Sequence, residues 1–195
     1  MPRAAADGTA VTILAGGRAS RFPGKLTSDA GGVALLLRVY RSVRAIGPVY
    51  LSINAPLDEA LAREMDCTIV PDRESGRGPL GGLVSTFERI EAPRCFVVAG
   101  DAPFAGCGAF AQLDAAWNDG VDAVVAESAG RIEPLCAIYR TQAFLEAARL
   151  ELKVGAGAVR SVVQRLPHAR VRIAQSVTAS INTPADRDAL LAVHP

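Results

Sequence analysis

Histidine is almost missing from this 195-residue chain: the two present, His168 and His194, lie near its C-terminal end. A zinc centre or a hydrolytic triad built on imidazole therefore has almost nothing to draw on. Cysteine is scarce as well. Cys67, Cys95, Cys107 and Cys136 have no Cys-x-x-Cys spacing, and three of them fall inside apolar runs, where the thiol behaves as a small core side chain. Neither disulfides nor zinc is expected. The chain also lacks an excess of one charge, with 21 Lys and Arg against 20 Asp and Glu. That balance excludes a general electrostatic attraction to nucleic acid and the composition of a disordered chain. No run of about 18 uncharged apolar residues is present to cross a membrane, and residues 1–7 lack the long apolar stretch of a secretory signal. These absences lead to the expectation of a cytoplasmic protein whose partners are neither nucleic acid nor membrane.

What is present is apolar and periodic. Half of the residues are apolar, enough for one sizeable core, and no linker, repeat or low-complexity tract divides the chain, so residues 1–195 are expected to form a single domain. Strand-like runs occur at 10–15, 49–53, 67–70, 95–99, 121–126, 135–139 and 171–174, most of them too continuous to be half-exposed. Between them, helical spacing marks 33–46, 57–65, 80–90, 110–117, 141–150 and 184–193. In the first of these, Leu36, Val39, Tyr40 and Val43 share a face and Gly47-Pro48 follows as a stop. The alternation predicts an α/β fold of the Rossmann-like three-layer kind, with a mostly parallel central sheet flanked by helices.

In open α/β sheets ligands bind beyond the carboxyl ends of the strands, so the residues that follow each strand are the candidates. After the first comes Leu14-Ala15-Gly16-Gly17-Arg18-Ala19-Ser20-Arg21-Phe22-Pro23-Gly24-Lys25. Its glycine pair lets backbone N–H groups face an anion, and Arg18, Arg21 and Lys25 supply the countercharge. It is neither a Walker loop nor a dinucleotide fingerprint, because the glycines and the residue after Lys25 do not match either spacing. Asn54 follows the second strand, and Pro71-Asp72 follows the third. Asp72 opens a glycine- and proline-rich loop to Leu83 that a flat nucleobase can approach closely, with the carboxylate accepting hydrogen bonds; a plain surface loop accounts for the same composition. Asp101, in Gly100-Asp101-Ala102-Pro103, is fixed at a sheet edge by five apolar residues, and is either a turn-forming Asx or a ligand for Mg²⁺. Thr183-Pro184-x-Asp186 reads as a helix start, which leaves Asn182 to be explained as a substrate contact. Gly155 to Arg160 reads first as a plain connection into a helix, and second as another phosphate site.

Four segments together, Leu14-Ala15-Gly16-Gly17 with Arg21 and Lys25, Pro71-Asp72 with Gly78-Pro79-Leu80-x-Gly82-Leu83, Gly100-Asp101-x-Pro103-Phe104, and Asn182-Thr183-Pro184-x-Asp186, closely resemble the molybdenum cofactor guanylyltransferases of the MobA-like nucleotidyltransferase group. The resemblance covers nearly the whole chain. It implies a Rossmann-like fold and a Mg²⁺-dependent transfer of GMP from GTP to molybdopterin, with pyrophosphate released. It places GTP contacts on Leu14, Ala15, Gly16, Gly17, Lys25, Asn54, Asp72 and Asp101, the metal on Asp101, and Asn182 toward molybdopterin. Arg21, Lys25 and Asp101 are the catalytic residues it implies, with Asp101 facing Lys25 across a crevice. It further implies contact with proteins that deliver molybdopterin and with the molybdoenzymes that receive the product. One departure is Gly24, where the family carries Asp before its loop lysine. A cytidylyltransferase, a sugar-phosphate nucleotidyltransferase and a nucleotide-binding protein that delivers cofactor without turnover stay open as alternatives.

Overall fold

The computed structural model describes residues 8–15, 26–27, 32–73, 77–155 and 157–193. Seven strands, β1 (Thr9–Leu14), β2 (Val49–Ile53), β3 (Thr68–Pro71), β4 (Arg94–Ala99), β5 (Ala123–Ser128), β6 (Arg131–Arg140) and β7 (His168–Arg172), form one sheet in the order β3-β2-β1-β4-β6-β5-β7. β1 pairs in parallel with β2 and β4, β2 with β3, and β5 with β7, whereas β6 runs antiparallel to both β4 and β5. The predicted mostly parallel sheet is therefore present, with one reversed strand that periodicity did not reveal. Helices α1 (Leu35–Val43), α2 (Glu59–Arg63), α3 (Gly78–Phe87), α4 (Cys107–Asp114), α5 (Thr141–Lys153), α6 (Val159–Arg165), α7 (Gln175–Thr178) and α8 (Pro184–Val193) complete the described chain.

Each face of the sheet carries its own core, because consecutive residues of a strand point to opposite sides. Val11, Ile13, Phe96, Val98, Val124 and Ile138 pack with α1 and α4 through Leu36, Tyr40 and Phe110. Ala10, Cys95, Val97, Val125, Ala137 and Tyr139 pack on the other side with α3, α5 and α6 through Leu83, Phe87, Phe144 and Val162. Phe87, Tyr139 and Phe144 form an aromatic cluster there, with the Phe87 and Phe144 centroids 4.3 Å apart. Glu151 is buried in α5 and ion-paired with Arg165 of α6, tying those two helices together. All four cysteines are free thiols, and burial pushes Cys95 and Cys136 up to about 12.

The strands that depart from the burial expected of most of them are the two at the margins. β3 is exposed at Thr68, Ile69 and Pro71 because it is an outer strand, and β7, the other outer strand, lies at 168–172 and not at 171–174, with Arg170 and Arg172 exposed. Charge on an outer strand discourages pairing with another chain. β6 is longer than the predicted 135–139. Val98 faces Cys136, so residues 131–134 overshoot the carboxyl end of β4 and connect back to β5 through Ala129 and Gly130, both at positive φ (48° and 73°) as a tight hairpin requires.

Candidate functional site

The chain leaves β1 toward β2 on one side and later places β4 on its other side, so the sheet order reverses between β1 and β4. A crevice opens at such a point beyond the carboxyl ends of the strands. The residues there are Leu14 at the end of β1 with Ala15 after it, and Gly100 and Asp101 after β4. Gly100 donates its N–H to the Leu14 carbonyl at 2.9 Å, and a Cβ on Gly100 would lie 3.2 Å from Ala15 Cα. Glycine thus lets the two strand ends close on each other while Asp101, one residue on, stays half-buried. β4 is the middle strand of the sheet, so the edge that holds Asp101 is the sheet's carboxyl end and not an outer strand.

On the β2 and β3 side, Asn54 is exposed just past β2, and Asp72 is half-buried just past β3. Asp72 is held firmly. Its N–H donates to the Ile53 carbonyl at 2.9 Å, and its Oδ1 accepts the Ser52 hydroxyl at 3.1 Å. Burial pushes the Asp72 carboxyl above the ordinary carboxylate range, and the Ser52 hydrogen bond partly offsets this. Ala15 donates its N–H to the Ser52 carbonyl at 2.9 Å, which joins the start of the first loop to the same strand. α3 closes over this group through Gly82, where a Cβ would lie 2.5 Å from Ser52 Oγ, 2.7 Å from Asp72 Oδ1 and 3.1 Å from Leu14 Cδ1. Pro79 stands in the first turn of α3, where its missing N–H costs nothing.

From the far end of the chain, Ile181 donates its N–H to the Asp101 carbonyl at 2.9 Å, and this brings Asn182 to the same side of the sheet. The helix start predicted at Thr183 is present as a reciprocal cap. Asp186 N–H donates to Thr183 Oγ1 at 3.1 Å, while Asp186 Oδ2 accepts the N–H groups of Thr183 at 2.8 Å and of Asn182 at 3.0 Å. The N–H of Asn182 and the Thr183 hydroxyl hold the Asp186 carboxyl below its usual range.

Leu14, Ala15, Asn54, Asp72, Asp101 and Asn182 therefore all lie at the carboxyl end of the parallel strands. Gly16, Gly17, Arg18, Arg21 and Lys25 lie outside the described residues, as does the expected pairing of Lys25 with Asp101. Leu26, the residue after Lys25, accepts the Leu36 N–H at 2.9 Å, so the chain re-enters the described fold at the first turn of α1. Arg160 is an exposed residue of α6 whose guanidinium donates to the Ile132 carbonyl at 3.0 Å. The residues that sequence reasoning missed are Ser52 and the contacts of Gly82; the available signal was a serine inside the apolar run of β2.

The donor set fits a hard divalent cation. Among the described residues no three His, Cys, Asp or Glu side chains gather into a metal cage, and Asp101 offers one carboxylate beside the crevice. Mg²⁺ needs only one or two protein carboxylates, because waters and substrate phosphates complete its shell.

A sequence model of the MobA-like NTP transferase domain matches residues 11–171. A probable molybdenum cofactor guanylyltransferase of Chloroflexus aggregans is 31% identical over 140 residues, which is 67% of this chain and 65% of that protein. The molybdenum cofactor guanylyltransferase of Desulfosudis oleivorans is 28% identical over 163 residues, 82% of this chain and 79% of its own length. Among solved structures, molybdopterin-guanine dinucleotide biosynthesis protein A of Archaeoglobus fulgidus superposes with a TM-score of 0.76 at 20% identity, covering 94% of this chain and 97% of that one. The 2-C-methyl-D-erythritol 4-phosphate cytidylyltransferase of Thermus thermophilus superposes with a TM-score of 0.68 at 21% identity, covering 94% and 96%. At such identities the two structures speak for a shared fold, which serves more than one nucleobase.

Proposed function

This chain belongs to the MobA-like NTP transferase family, and from that premise we propose that it is a molybdenum cofactor guanylyltransferase, which moves GMP from GTP to molybdopterin. The observation that carries the reading is the convergence of Ala15, Asp72 and Asp101 on one crevice at the sheet's point of reversal. The names of the curated relatives support GTP and molybdopterin as the substrates.

In the proposed reaction an oxygen of the molybdopterin terminal phosphate attacks the α-phosphorus of GTP, the bond from that phosphorus to the bridging oxygen breaks, and pyrophosphate leaves with the electron pair. A phosphate monoester is already largely dianionic near neutral pH, its second pKa being about 6, so no residue has to remove a proton. This suits a chain with two histidines, both far from the crevice in sequence. The protein's part is positioning and charge neutralisation. Gly16 and Gly17 orient the triphosphate with their amides, Arg21 and Lys25 balance its charge and that of the departing pyrophosphate, and Asp72 with Asn54 holds the nucleoside. Asp101 would hold Mg²⁺, which when bound supplies Lewis-acid charge neutralisation at the phosphate oxygens. Asn182 contacts the molybdopterin side.

Gly24, where the family carries Asp, favours keeping a cytidylyltransferase as the second reading. Purified protein given radiolabelled GTP or CTP with molybdopterin and Mg²⁺ separates the two. Formation of the guanine dinucleotide product supports the proposal. Transfer from CTP alone, or transfer to a sugar phosphate in place of molybdopterin, overturns it.

A further inference from the structure

Ser52 in β2 is bonded to residues on both sides of the proposed nucleotide site, Ala15 and Asp72. Its side chain has no exposed surface, and a hydroxyl taken that far from water must find a partner. It finds Asp72 Oδ1 at 3.1 Å, while the main-chain carbonyl of the same residue accepts the N–H of Ala15 at 2.9 Å. Asp72, half-buried, is held at two further points. Its own N–H is bound to Ile53, and the backbone of α3 at Gly82 approaches so closely that a Cβ would lie 2.7 Å from Asp72 Oδ1. In a helix a buried hydroxyl bonds the preceding turn, as Ser85 does with Gly81 and Thr86 with Gly82 in α3; extended β2 offers Ser52 no such turn, and its hydroxyl goes to the residue that follows the neighbouring strand.

We propose that Ser52 is a positioning residue: its hydroxyl fixes Oδ1 of Asp72 so that Oδ2 is presented to the nucleoside, and its carbonyl sets the start of the triphosphate loop at Ala15. The inference rests on the reading of Asp72 as a nucleotide contact. It has the physical consequence that one residue links the part of the site that takes the base or ribose, through its side chain at Asp72, with the part that takes the phosphates, through its main chain at Ala15. An apolar residue at position 52 would leave the carboxylate turned by α3 alone, with burial still opposing its charge.

The test follows the Asp72 carboxyl by NMR titration in the ligand-free full chain, and measures equilibrium binding of Mg²⁺-GTP and Mg²⁺-CTP, in wild type, Ser52→Ala, Asp72→Ala and the double variant. The lost hydrogen bond in Ser52→Ala should move the Asp72 titration upward and weaken nucleotide binding about tenfold, the scale of one bond to a charged group. In the Asp72→Ala background the same serine substitution should change affinity by less than about twofold, because the two residues act as a unit. An unmoved titration in folded Ser52→Ala protein, or two substitutions whose effects simply multiply, overturns the proposal. If the titration moves but wild type binds neither nucleotide, the Ser52–Asp72 pair stands and the nucleotide reading of the site falls.

Discussion

The amide of Ile181 is hydrogen bonded to the main-chain carbonyl of Asp101 at 2.9 Å, so the loop that follows the middle strand is fastened to the segment that begins the last helix. Two parts of the chain that are distant in sequence thus share one wall of the crevice. In the proposed reaction the carboxylate of Asp101 and the amide of Asn182 serve opposite substrates, and this bond sets their separation.

Asp101→Asn should lower GTP-dependent pyrophosphate release by more than about 100-fold, the scale of losing a dominant electrostatic contact, while leaving the fold intact. Lys25→Ala should cost on the order of 3 kcal/mol of transition-state stabilisation by the same reasoning. Steady-state release of pyrophosphate with molybdopterin present reads both, and circular dichroism checks the fold. Near-normal turnover in folded Asp101→Asn would remove that residue from the reaction.

Gly82→Ala should reverse the usual benefit of alanine in a helix. The added methyl would sit 2.5 Å from Ser52 Oγ and 2.7 Å from Asp72 Oδ1, in a place where nothing can yield without breaking that pair. Overpacking of this kind costs about 1–3 kcal/mol. Gly108→Ala in α4 is the matched control, since a Cβ there meets nothing within 4 Å and should stabilise by roughly 0.5 kcal/mol. Denaturant unfolding of the two variants compares them directly, and equal stability of both would contradict the packing described at Gly82.

Asp72→Asn should stabilise the ligand-free protein and weaken nucleotide binding. Burial raises the Asp72 carboxyl in the folded state, so the native protein holds that proton more tightly than the unfolded chain does. Stability contributed by this residue therefore falls as pH rises from the ordinary carboxylate range through the raised value, and at neutral pH the ionised group is a net cost. The group is partly solvated, which screens the effect, and a rise of about 1–2 °C in Tm is the expected scale. A lower Tm for Asp72→Asn would show that Asp72 is held for structure and not at the expense of it.

Asp186→Ala should free the amides of Asn182 and Thr183. The folded carboxyl lies below its unfolded value, so its contribution is present above the ordinary range and is lost as pH falls through the depressed value. Hydrogen exchange resolved at these two amides should quicken in Asp186→Ala at neutral pH, because the carboxylate that accepts both is gone. Unchanged exchange would mean that the cap does not hold Asn182.

Local chemistry in this chain was readable and direction was not. Thr183, Pro184 and Asp186 announce a helix start because a cap is made by neighbours in sequence. β1, β2 and β4 stand out because a strand covered on both faces is continuously apolar. The same rule misplaced β7, whose His168, Arg170 and Arg172 are tolerated only because an outer strand meets water. The reversal of β6 left no trace in the periodicity, since alternation of side chains is the same in either direction. Ala15, Asn54, Asp72 and Asp101 were singled out by the rule that ligands gather beyond strand ends, and Asn182 because the helix start beside it left it unexplained. Ser52 escaped it, because its partner is set by the parallel pairing of β2 with β3 and by the closeness of α3 at Gly82, neither of which a single sequence displays.

The reversed strand has an effect on how this fold can diversify. Because β6 runs against both of its neighbours, its first four residues and the Ala129-Gly130 bend extend past the carboxyl end of β4, on the side of the sheet away from β2 and β3. Lengthening or trimming that bend would change this end of the sheet without disturbing the pairing of β1, β2 and β3. In the proposed reaction, one hairpin tip is thus where the fold can be edited while the strands assigned to the nucleotide are kept.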